Sequence, residues 1–464
     1  MKDLSKEELF VLQLFGLEKE DVQSVSYVPA GKTTIIDITL VSHPIPCPNC
    51  SYDSPKIKNY VLKKITHSQL TDRSCTLHYH ARRYICPVCG RTYYERNPFV
   101  FKSMKISIKT VYNILEDLKD YNETFSSVAK RYYISPTSAA SIFDSHVQVN
   151  RKTLPKMINF DEVYAFKSKE SKYVCVLLDY QKQVPIDVLN SRRLHSLIKY
   201  FQNIPYEERK NVEICCSDMY MPYKQAVKAT LPNARMIVDH FHVSQELHRR
   251  LDSVRIRTMK GFDKDSDGYY ILKKFNWMLF KSFDSKDKKN KDLFEVNTEK
   301  KFNYHFHAYL NYYDIREKLL ALSPELTEAY YLKDAVVDFY NHATKESAKE
   351  QLDKLIVKFL ESPTEEMKGF GCTLSKWKTE IINSFIIVGH DYQVEAETGR
   401  VVVRNKKMNN AIIENRNSII KCIKKNANGY TNWDRFRNRL LYVLDKDVTY
   451  LLYPLPKEGG KKND

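Results

Sequence analysis

Two cysteine pairs have the spacing of a metal site. Cys47 and Cys50 flank a Pro-Asn dipeptide, Cys86 and Cys89 flank a Pro-Val dipeptide, and Gly90 follows the second pair. Each pair can place two thiolates on one ion, and two pairs complete the tetrahedral four-sulfur shell that structural zinc prefers. The sequence therefore predicts a closed zinc site built by these four cysteines.

Further candidate ligands lie between the two pairs. Cys75, His78 and His80 fall in a segment where apolar and polar residues alternate, which is typical of a strand with one outward face. These three residues could be further metal ligands or ordinary residues of a strand, and both alternatives stay open. Arg82 and Arg83 are candidates for phosphate contact, with a solvated strand face as the alternative.

Three carboxylates could hold divalent metal ions for phosphoryl transfer. Asp161 and Asp218 each follow an apolar run that is predicted to be a strand, so both are expected at strand ends of one sheet, where α/β sites form. Glu414 lies in a predicted basic helix over residues 410–425 and is the candidate third ligand. Two-metal chemistry needs such carboxylates around ions ~3.5–4 Å apart. Taken alone, each aspartate is more typical of a solvated turn, and Glu414 is more typical of an exposed helix face.

Other residues compete with this set or could support it. Glu395 and Glu397 compete with Glu414, but they fall in a predicted hairpin over residues 394–403. Four side chains could support the carboxylates or contact a DNA backbone beside them: Asp239, His242, Asn417 and Lys421. Asp239 could as easily cap a helix that starts near residue 241.

A pair of short helices precedes the carboxylates. Residues 124–132 are predicted to be helical, residues 133–134 form a turn, and Ser135-Pro136 starts a second helix with an N-cap and a proline at its first position. The pattern is typical of a helix-turn-helix, with an ordinary helical hairpin as the alternative. The residues expected to face DNA are Lys130, Arg131, Thr137, Ser138 and Ser141.

The surrounding elements place these groups in a mixed protein. Apolar runs at 157–160, 173–178, 184–189, 212–216 and 234–238, with a helix over 221–229, indicate an α/β domain. Residues 245–390 have a helical period instead, which indicates a helical insertion. A first pair of strands is predicted at 22–28 and 33–41, after a short helix at 7–14.

Charge and composition restrict the partners. The 464 residues carry a formal net charge of +17, which favours a polyanionic partner over the alternative of an inert basic surface. No run of ~18 apolar residues indicates a membrane span, and the first residues show no apolar signal core. We expect a cytoplasmic chain, in which ten cysteines serve as thiols and metal ligands rather than disulfides.

Together the motifs resemble those of the DDE transposases of bacterial insertion sequences, specifically the ISL3 family. The resemblance runs from Cys47 to about Leu441 and includes both cysteine pairs and the segments around Asp161-Glu162, Ser217-Asp218 and Glu414. Further matching blocks are Val238-Asp239-His240-Phe241-His242, Glu380-Ile381-Ile382, Gly429-Tyr430 and Arg435-Phe436-Arg437. One departure is Asn415, where the family usually has glycine after the catalytic glutamate. Asparagine tolerates left-handed dihedrals better than most residues.

The resemblance implies an architecture. We expect a mixed α/β protein whose ribonuclease-H-like catalytic domain carries a helical insertion and follows a zinc ribbon and a helix-turn-helix. The segments are a zinc-ribbon region (residues 1–100), the helix-turn-helix (101–150), the first catalytic part (151–244), the insertion with its hairpin (245–404), the returning catalytic helix (405–456) and a disordered tail (457–464).

The resemblance also implies an activity. It implies hydrolysis at an element end and then attack of the freed 3′ hydroxyl on target DNA, with Asp161, Asp218 and Glu414 as ligands of Mg²⁺ or Mn²⁺. Its implied partners are double-stranded DNA, namely the terminal inverted repeats and the target, and further copies of the chain in a nucleoid-associated assembly. Two alternatives stay open: a non-catalytic DNA-binding regulator and a structure-specific nuclease.

Overall fold

The computed structural model describes residues 12, 17–43, 45–70, 73–102, 104–168, 171–289, 291–394 and 401–456. The predicted helix at 7–14, apart from Leu12, lies outside these residues, as do Glu395, Glu397 and the tail from 457. The chain forms two compact units. The first comprises Met1–Arg151, Tyr164–Lys167 and Arg416–Asp464, and the second comprises Lys152–Val163 and Ser168–Asn415.

The first unit begins with a five-stranded sheet. Its strands are β1 (Val22–Ala30), β2 (Thr33–Leu40), β3 (Lys56–Leu70), β4 (Arg73–Ile85) and β5 (Thr92–Tyr94). The predicted first hairpin is confirmed, with Gly31 at a φ of +61° in its turn. The sheet order is β1-β2-β4-β3, and β5 pairs with the end of β4. Alternate residues such as Ile36, Ile38, Leu77 and Tyr79 are buried, so one face of the sheet forms the core.

Three helices follow the sheet: α1 (Ile108–Asp117), α2 (Phe125–Arg131) and α3 (Pro136–His146). Both predicted helix starts are confirmed, because the Thr124 hydroxyl accepts from the Ser127 N–H and the Ser135 hydroxyl accepts from the Ser138 N–H. Tyr133 takes a φ of +54° in the turn between α2 and α3. These caps satisfy N–H groups that the first helical turns leave without partners.

The second unit is built on a mixed sheet. Its strands are β6 (Met157–Tyr164), β7 (Tyr173–Asp179), β8 (Val184–Leu189), β9 (Ile214–Ser217) and β10 (Arg235–Val238). The order is β10-β9-β6-β7-β8, in which β9 runs parallel to both β6 and β10 and β7 runs antiparallel to β8. The predicted α/β alternation is therefore correct. One expectation is wrong in detail: β6 continues to Tyr164, so Asp161 lies within the strand and not at its end.

Helices and a second core cover this sheet. The connecting helices are α4 (Leu194–Gln202), α5 (Tyr206–Arg209) and α6 (Met221–Thr230). Cys215 belongs to the core that includes Phe201 and Tyr223, whereas Cys216 belongs to a separate cluster that includes Met408. This alternation follows from the two-residue period of a strand and shows that both faces of β9 are buried.

The segment predicted to be a helical insertion is mainly helical. Its helices are α7 (His240–Lys260), α8 (Asp267–Lys274), α9 (Tyr312–Leu320), α10 (Pro324–His342), α11 (Ala348–Leu360), α12 (Glu365–Lys376) and α13 (Lys378–Asn383). Two small hairpins accompany them, β11 (Lys301–Asn303) with β12 (Ala308–Leu310) and β13 (Ile387–Val394) with β14 (Val401–Lys407). The first helix begins at His240, five residues before the predicted start of the insertion.

Two helices end the described chain, α14 (Ala411–Asn426) and α15 (Trp433–Leu444). The sequence assigned residues 405–456 to the catalytic domain, but residues from Arg416 onward cluster with the first unit. The reason is the apolar face of α15, whose Tyr442 is buried in the same core as Val111, Ile114 and Phe143. No helix within the described residues has the length and apolar character needed to cross a membrane.

Candidate active site and cysteine cluster

The four predicted cysteines form one cluster. Their sulfur atoms all lie within 4.8 Å of one another, with 3.6 Å between Cys47 and Cys89 and 3.5 Å between Cys50 and Cys86. A tetrahedral ion with Zn–S bonds of about 2.3 Å needs sulfur–sulfur separations of roughly 3.8 Å. The two turns match each other, because the Ser51 N–H donates to the Cys47 carbonyl and the Gly90 N–H donates to the Cys86 carbonyl. The cluster fits a structural zinc ion.

The other candidate ligands near the cluster have different partners. Cys75 is buried in the core of the sheet. His78 and His80 face Asp37, with nitrogen–oxygen distances of 3.4 Å and 3.1 Å. These three residues are therefore strand residues and not part of the cysteine cluster.

Arg82 has a structural position that the basic run did not predict. Its guanidinium is buried and pairs with Glu95 at 3.0 Å, and it also donates to the carbonyl of Leu40. Neither a phosphate contact nor a solvated strand face describes it. Arg83 is half-buried and donates to Thr92 at 3.0 Å.

The carboxylates predicted to bind metal belong to the second unit. Asp161 is half-buried on β6 and accepts a hydrogen bond of 2.8 Å from the N–H of Glu162. Asp218 directly follows β9, as predicted, and accepts from the N–H of Tyr220 at 3.2 Å. Because β6 and β9 are neighbours, the two aspartates belong to adjacent strands of one sheet.

Glu414 lies in the first turn of α14, and three buried polar residues set the position of that turn. The Asn159 side chain on β6 donates to the Asn409 carbonyl at 2.8 Å and to the Asn410 side chain at 2.7 Å. The Asp239 carboxylate accepts from the Asn410 N–H at 2.6 Å. The Asn410 carbonyl accepts from the Glu414 N–H at 3.0 Å. The start of α14 is thus tied to β6 and to the end of β10.

Asp239 and His242 have distinct positions beside Glu414. Asp239 caps α7 by accepting from the Phe241 N–H at 2.9 Å, so both of its oxygens bind backbone N–H groups. His242 is half-buried, with its Nε2 3.8 Å from a Glu414 oxygen. Asp239 therefore orders the backbone, whereas His242 is next to a candidate ligand. Asp218 and His242 line a cleft of about 420 Å³ together with Gln245 and Arg249.

The electrostatics of this cluster favour a cation. Burial raises the pKa of Asp161 to about 6, and the charges of Asp218 and Glu414 add to the rise while His242 opposes it. Burial also raises the pKa of Asp218. Burial makes the negative charge of these carboxylates costly, and a divalent ion would offset that cost. Among the described residues, the four cysteines are the only group of three or more candidate metal ligands whose ligand atoms all lie within 4.8 Å of one another. The carboxylate oxygens of Asp161, Asp218 and Glu414 are therefore more widely spaced than the cysteine sulfurs.

Three residues that follow Glu414 on α14 were predicted to shape the site or to contact DNA: Asn415, Asn417 and Lys421. Asn415 lies inside α14 and its φ is not positive, so replacement of the family's usual glycine needs no left-handed backbone. Asn417 is buried, whereas Lys421 is exposed. A direct DNA contact is therefore open to Lys421 and not to the buried Asn417 side chain.

The residues predicted to face DNA lie on α2 and α3. Thr137, Ser141 and Lys130 are exposed, and Ser138 is half-buried. Ser138 and Ser141 line a groove of about 860 Å³ whose other walls include Lys102 and Lys105. The Arg131 guanidinium, by contrast, pairs with Asp117 and Glu123 within the unit. Its charge is already balanced.

Sequence reasoning gave no role to five polar residues around the carboxylates: Glu162, Arg192, Tyr223, Asn159 and Asn410. Glu162 pairs with Arg192 and accepts from the Tyr223 hydroxyl at 3.2 Å. Burial and the charge of Asp218 raise the pKa of Glu162 to about 7. Asn159 and Asn410 make the buried contacts described above. An asparagine inside the apolar run of β6 was the one signal available, since buried amides need specific partners.

Comparisons with known proteins identify the family. A family profile for ISL3-type DDE transposases, described as transposase, matches residues 158–396, just over half of the chain. The chain belongs to the ISL3 family of DDE transposases. The matched part of this transposase-family chain includes Asp161, Asp218 and His242, and it ends before Glu414.

A curated relative agrees with this assignment. The transposase-family chain is similar to the protein named transposase for insertion sequence element IS1001 from Bordetella parapertussis, with 18% identity over 263 residues. The match covers 56% of this chain and 64% of the relative, so it spans less than two thirds of that protein's length.

Proposed function

We propose that this chain is an active insertion-sequence transposase that binds the ends of its element and carries out metal-dependent cleavage and strand transfer. The observation that carries the proposal is the group of Asp161, Asp218 and Glu414, with His242 beside Glu414, inside a chain of this family. A DNA-binding regulator without chemistry would have no use for Asp161 and Asp218, because their burial makes their negative charge costly.

The second unit is proposed as the ribonuclease-H-like catalytic domain. Its sheet places β6 at the centre, with β7 and β8 on one side and the parallel strands β9 and β10 on the other. This arrangement supports the proposal because it sets Asp161 on the central strand and Asp218 after its parallel neighbour. The long helical segment before α14 is then the insertion within that domain.

Asp161, Asp218 and Glu414 would hold Mg²⁺ or Mn²⁺. When bound, such ions activate the attacking oxygen and stabilise the leaving oxygen of a phosphodiester. The chain's own part is to fix the ligands: β6 carries Asp161, the turn after β9 carries Asp218, and Asn159 with Asp239 fix the start of the helix that bears Glu414. Water would attack the phosphorus at the element end, and the released 3′ hydroxyl would then attack target DNA.

The first unit is proposed as the DNA-reading part. We propose that α2 and α3 form a helix-turn-helix, with Thr137, Ser138 and Ser141 toward the major groove and Lys130 on phosphate. The capped start of α3 and the exposure of Lys130, Thr137 and Ser141 support this role. The cysteine cluster would hold structural zinc and so stabilise the sheet that precedes the helices.

The test uses the full chain with duplexes that carry its own element's ends. With Mg²⁺, the wild type should nick the end and join it to target DNA, as read on a sequencing gel. Asp161→Asn, Asp218→Asn and Glu414→Gln should each abolish both products while end binding, read by gel shift, is retained. Each change removes one charge and keeps the side-chain size.

Glu395→Gln and Glu397→Gln are the matched controls and should be far milder. An active Glu414→Gln with a dead Glu395→Gln would assign the third ligand to the hairpin instead. Cleavage by all three aspartate and glutamate variants would exclude the proposed mechanism. Nicked ends that are never joined would indicate a nuclease.

A further inference from the structure

Arg192 contacts Glu162, which directly follows Asp161, and Tyr220, which lies two positions after Asp218. It lies in the loop between β8 and α4, and its guanidinium pairs with the Glu162 carboxylate. The guanidinium carbon also lies 4.3 Å from the ring centre of Tyr173 and 4.4 Å from that of Tyr220. A planar, weakly hydrated guanidinium suits this combination of ion pair and ring contacts.

Two partners of Arg192 each donate a backbone hydrogen bond to one aspartate. The N–H of Glu162 donates to Asp161 at 2.8 Å, and the N–H of Tyr220 donates to Asp218 at 3.2 Å. The same guanidinium therefore contacts the side chains of both residues whose backbones orient the aspartates.

Glu162 is held from a second direction. Its other oxygen accepts from the Tyr223 hydroxyl at 3.2 Å, and Tyr223 is fully buried among residues such as Phe160. Asp161 and Glu162 are successive strand residues, so their side chains leave opposite faces of β6. Both oxygens of Glu162 are thus engaged on the face away from Asp161.

We propose that Arg192 is a positioning residue that sets the orientation of Asp161 and Asp218 by holding Glu162 and Tyr220. This proposal rests on the proposed function, because it assumes that the two aspartates bind metal. Two half-buried carboxylates close to each other repel, so the backbone segments that carry Asp161 and Asp218 need an external tie to hold their orientation. Arg192 also places a positive charge near Asp218, which opposes the rise in its pKa.

The test measures metal binding directly, without cleavage. The full-length protein is titrated with Mn²⁺, and free Mn²⁺ is followed by electron paramagnetic resonance. Arg192→Gln should weaken Mn²⁺ binding about tenfold, as is typical for the loss of a residue that orients a metal ligand. Arg192→Lys should weaken it less, because the charge stays while the planar contacts are lost. Arg193→Gln, an exposed neighbour, is the control and should bind as the wild type does.

Coupling to Glu162 provides a second criterion. Glu162→Gln should also weaken Mn²⁺ binding, and the double variant with Arg192→Gln should be no weaker than the poorer single variant, since both act through one pair. Additive losses would instead make Glu162 a ligand in its own right and overturn the proposal. In single-turnover assays the cleavage rate should fall while affinity for end DNA stays within about twofold.

The outcomes separate this proposal from the proposed function. If Asp161→Asn weakens Mn²⁺ binding and neither Arg192 variant does, the positioning role is overturned and the metal site stands. If Asp161→Asn leaves Mn²⁺ binding unchanged, the metal site itself is overturned, and this proposal with it. If Arg192→Gln lowers DNA affinity and leaves Mn²⁺ binding intact, Arg192 is a DNA contact. If the Arg192→Gln protein does not fold, the milder Arg192→Lys variant tests the proposal by the same measurements of Mn²⁺ binding and DNA affinity.

Discussion

The Tyr442 hydroxyl donates a hydrogen bond of 3.0 Å to the backbone carbonyl of Leu115, a residue 327 positions earlier in the chain. Both residues belong to the first unit. Nearby, the buried Arg439 donates to the carbonyls of Asp120 and Glu123 at 2.8 Å and 2.9 Å. The core of the proposed helix-turn-helix is therefore completed by α15, from the far end of the chain.

Loss of the Tyr442 ring should destabilise the first unit. Tyr442→Ala removes a buried aromatic side chain and should lower the free energy of unfolding by about 3–5 kcal/mol. Tyr442→Phe removes only the hydroxyl and should cost about 1 kcal/mol. Urea denaturation followed by circular dichroism measures both, with the exposed Lys446→Ala as control. Equal stability of Tyr442→Ala and Lys446→Ala would contradict the composite core.

A fragment of residues 1–150 tests the same point through DNA binding. The sequence predicts that this fragment holds end DNA, because both DNA-reading motifs lie within it. The structure adds that it lacks α15 and the segment in which the Leu451 N–H donates to the His146 carbonyl. We now expect the fragment to be poorly folded and to bind weakly by gel shift. Wild-type affinity in the fragment would show that α15 is dispensable.

Substitutions in the proposed helix-turn-helix should affect either the preference for end DNA or the general affinity for DNA, depending on the residue that is changed. In the full chain, Thr137→Ala or Ser141→Ala should reduce the preference for end DNA over random duplex, because base contacts carry sequence information. Lys130→Ala should weaken binding to both and reduce the slope against log salt by about 1. Fluorescence anisotropy over a salt series measures both effects. Unchanged preference in both hydroxyl variants would remove α3 as the reading helix.

Zinc should stay with the protein through the four cysteines. We expect about one zinc ion per chain by atomic absorption, because a closed four-thiolate site contributes its binding energy to folding. Cys86→Ser should lose the metal and unfold the sheet of the first unit while the second unit stays folded. Cys75→Ser is the matched control, since this thiol belongs to the sheet core and should leave the zinc content unchanged. A metal-free wild type would rule the site out.

Removal of the Asp161 charge should stabilise the metal-free protein above pH 6. Burial raises the folded pKa of Asp161 from 3.8 to about 6, so the folded state holds the proton more tightly than the unfolded state does. Stability is therefore lost as the pH rises from about 4 to about 6, by at most about 3 kcal/mol. In EDTA, Asp161→Asn should exceed the wild type in urea midpoint at pH 7.5 and approach it at pH 4.5.

Saturating Mg²⁺ should reverse this order, since only the wild type gains binding energy at the site. A variant that is less stable than the wild type at pH 7.5 in EDTA would contradict the electrostatic account of the cluster.

The amino-acid pattern by itself determined most of the local structure. Cysteine spacing was sufficient to predict the cluster because each cysteine pair lies within one short turn. The apolar runs predicted all five strands of the second unit, because alternation or continuity of apolar residues reports burial directly. Ser135-Pro136 predicted the start of α3 because capping depends on neighbouring residues only. The family likeness was also visible in the segments around Asp161 and Asp218, which lie within the matched residues 158–396.

Only the tertiary structure decided which distant groups meet. The sequence placed Arg82 on a phosphate or in solvent, whereas in the structure it is buried and pairs with Glu95. Nothing in the sequence linked Arg192 to Glu162. The attachment of α14 through Asn159 and Asp239 spans 171 to 251 positions of sequence, and that of α15 through Tyr442 spans 327. The physical reason is that periodicity shows which face of an element is buried, whereas the partner of that face depends on how all the apolar faces and buried charges are satisfied together.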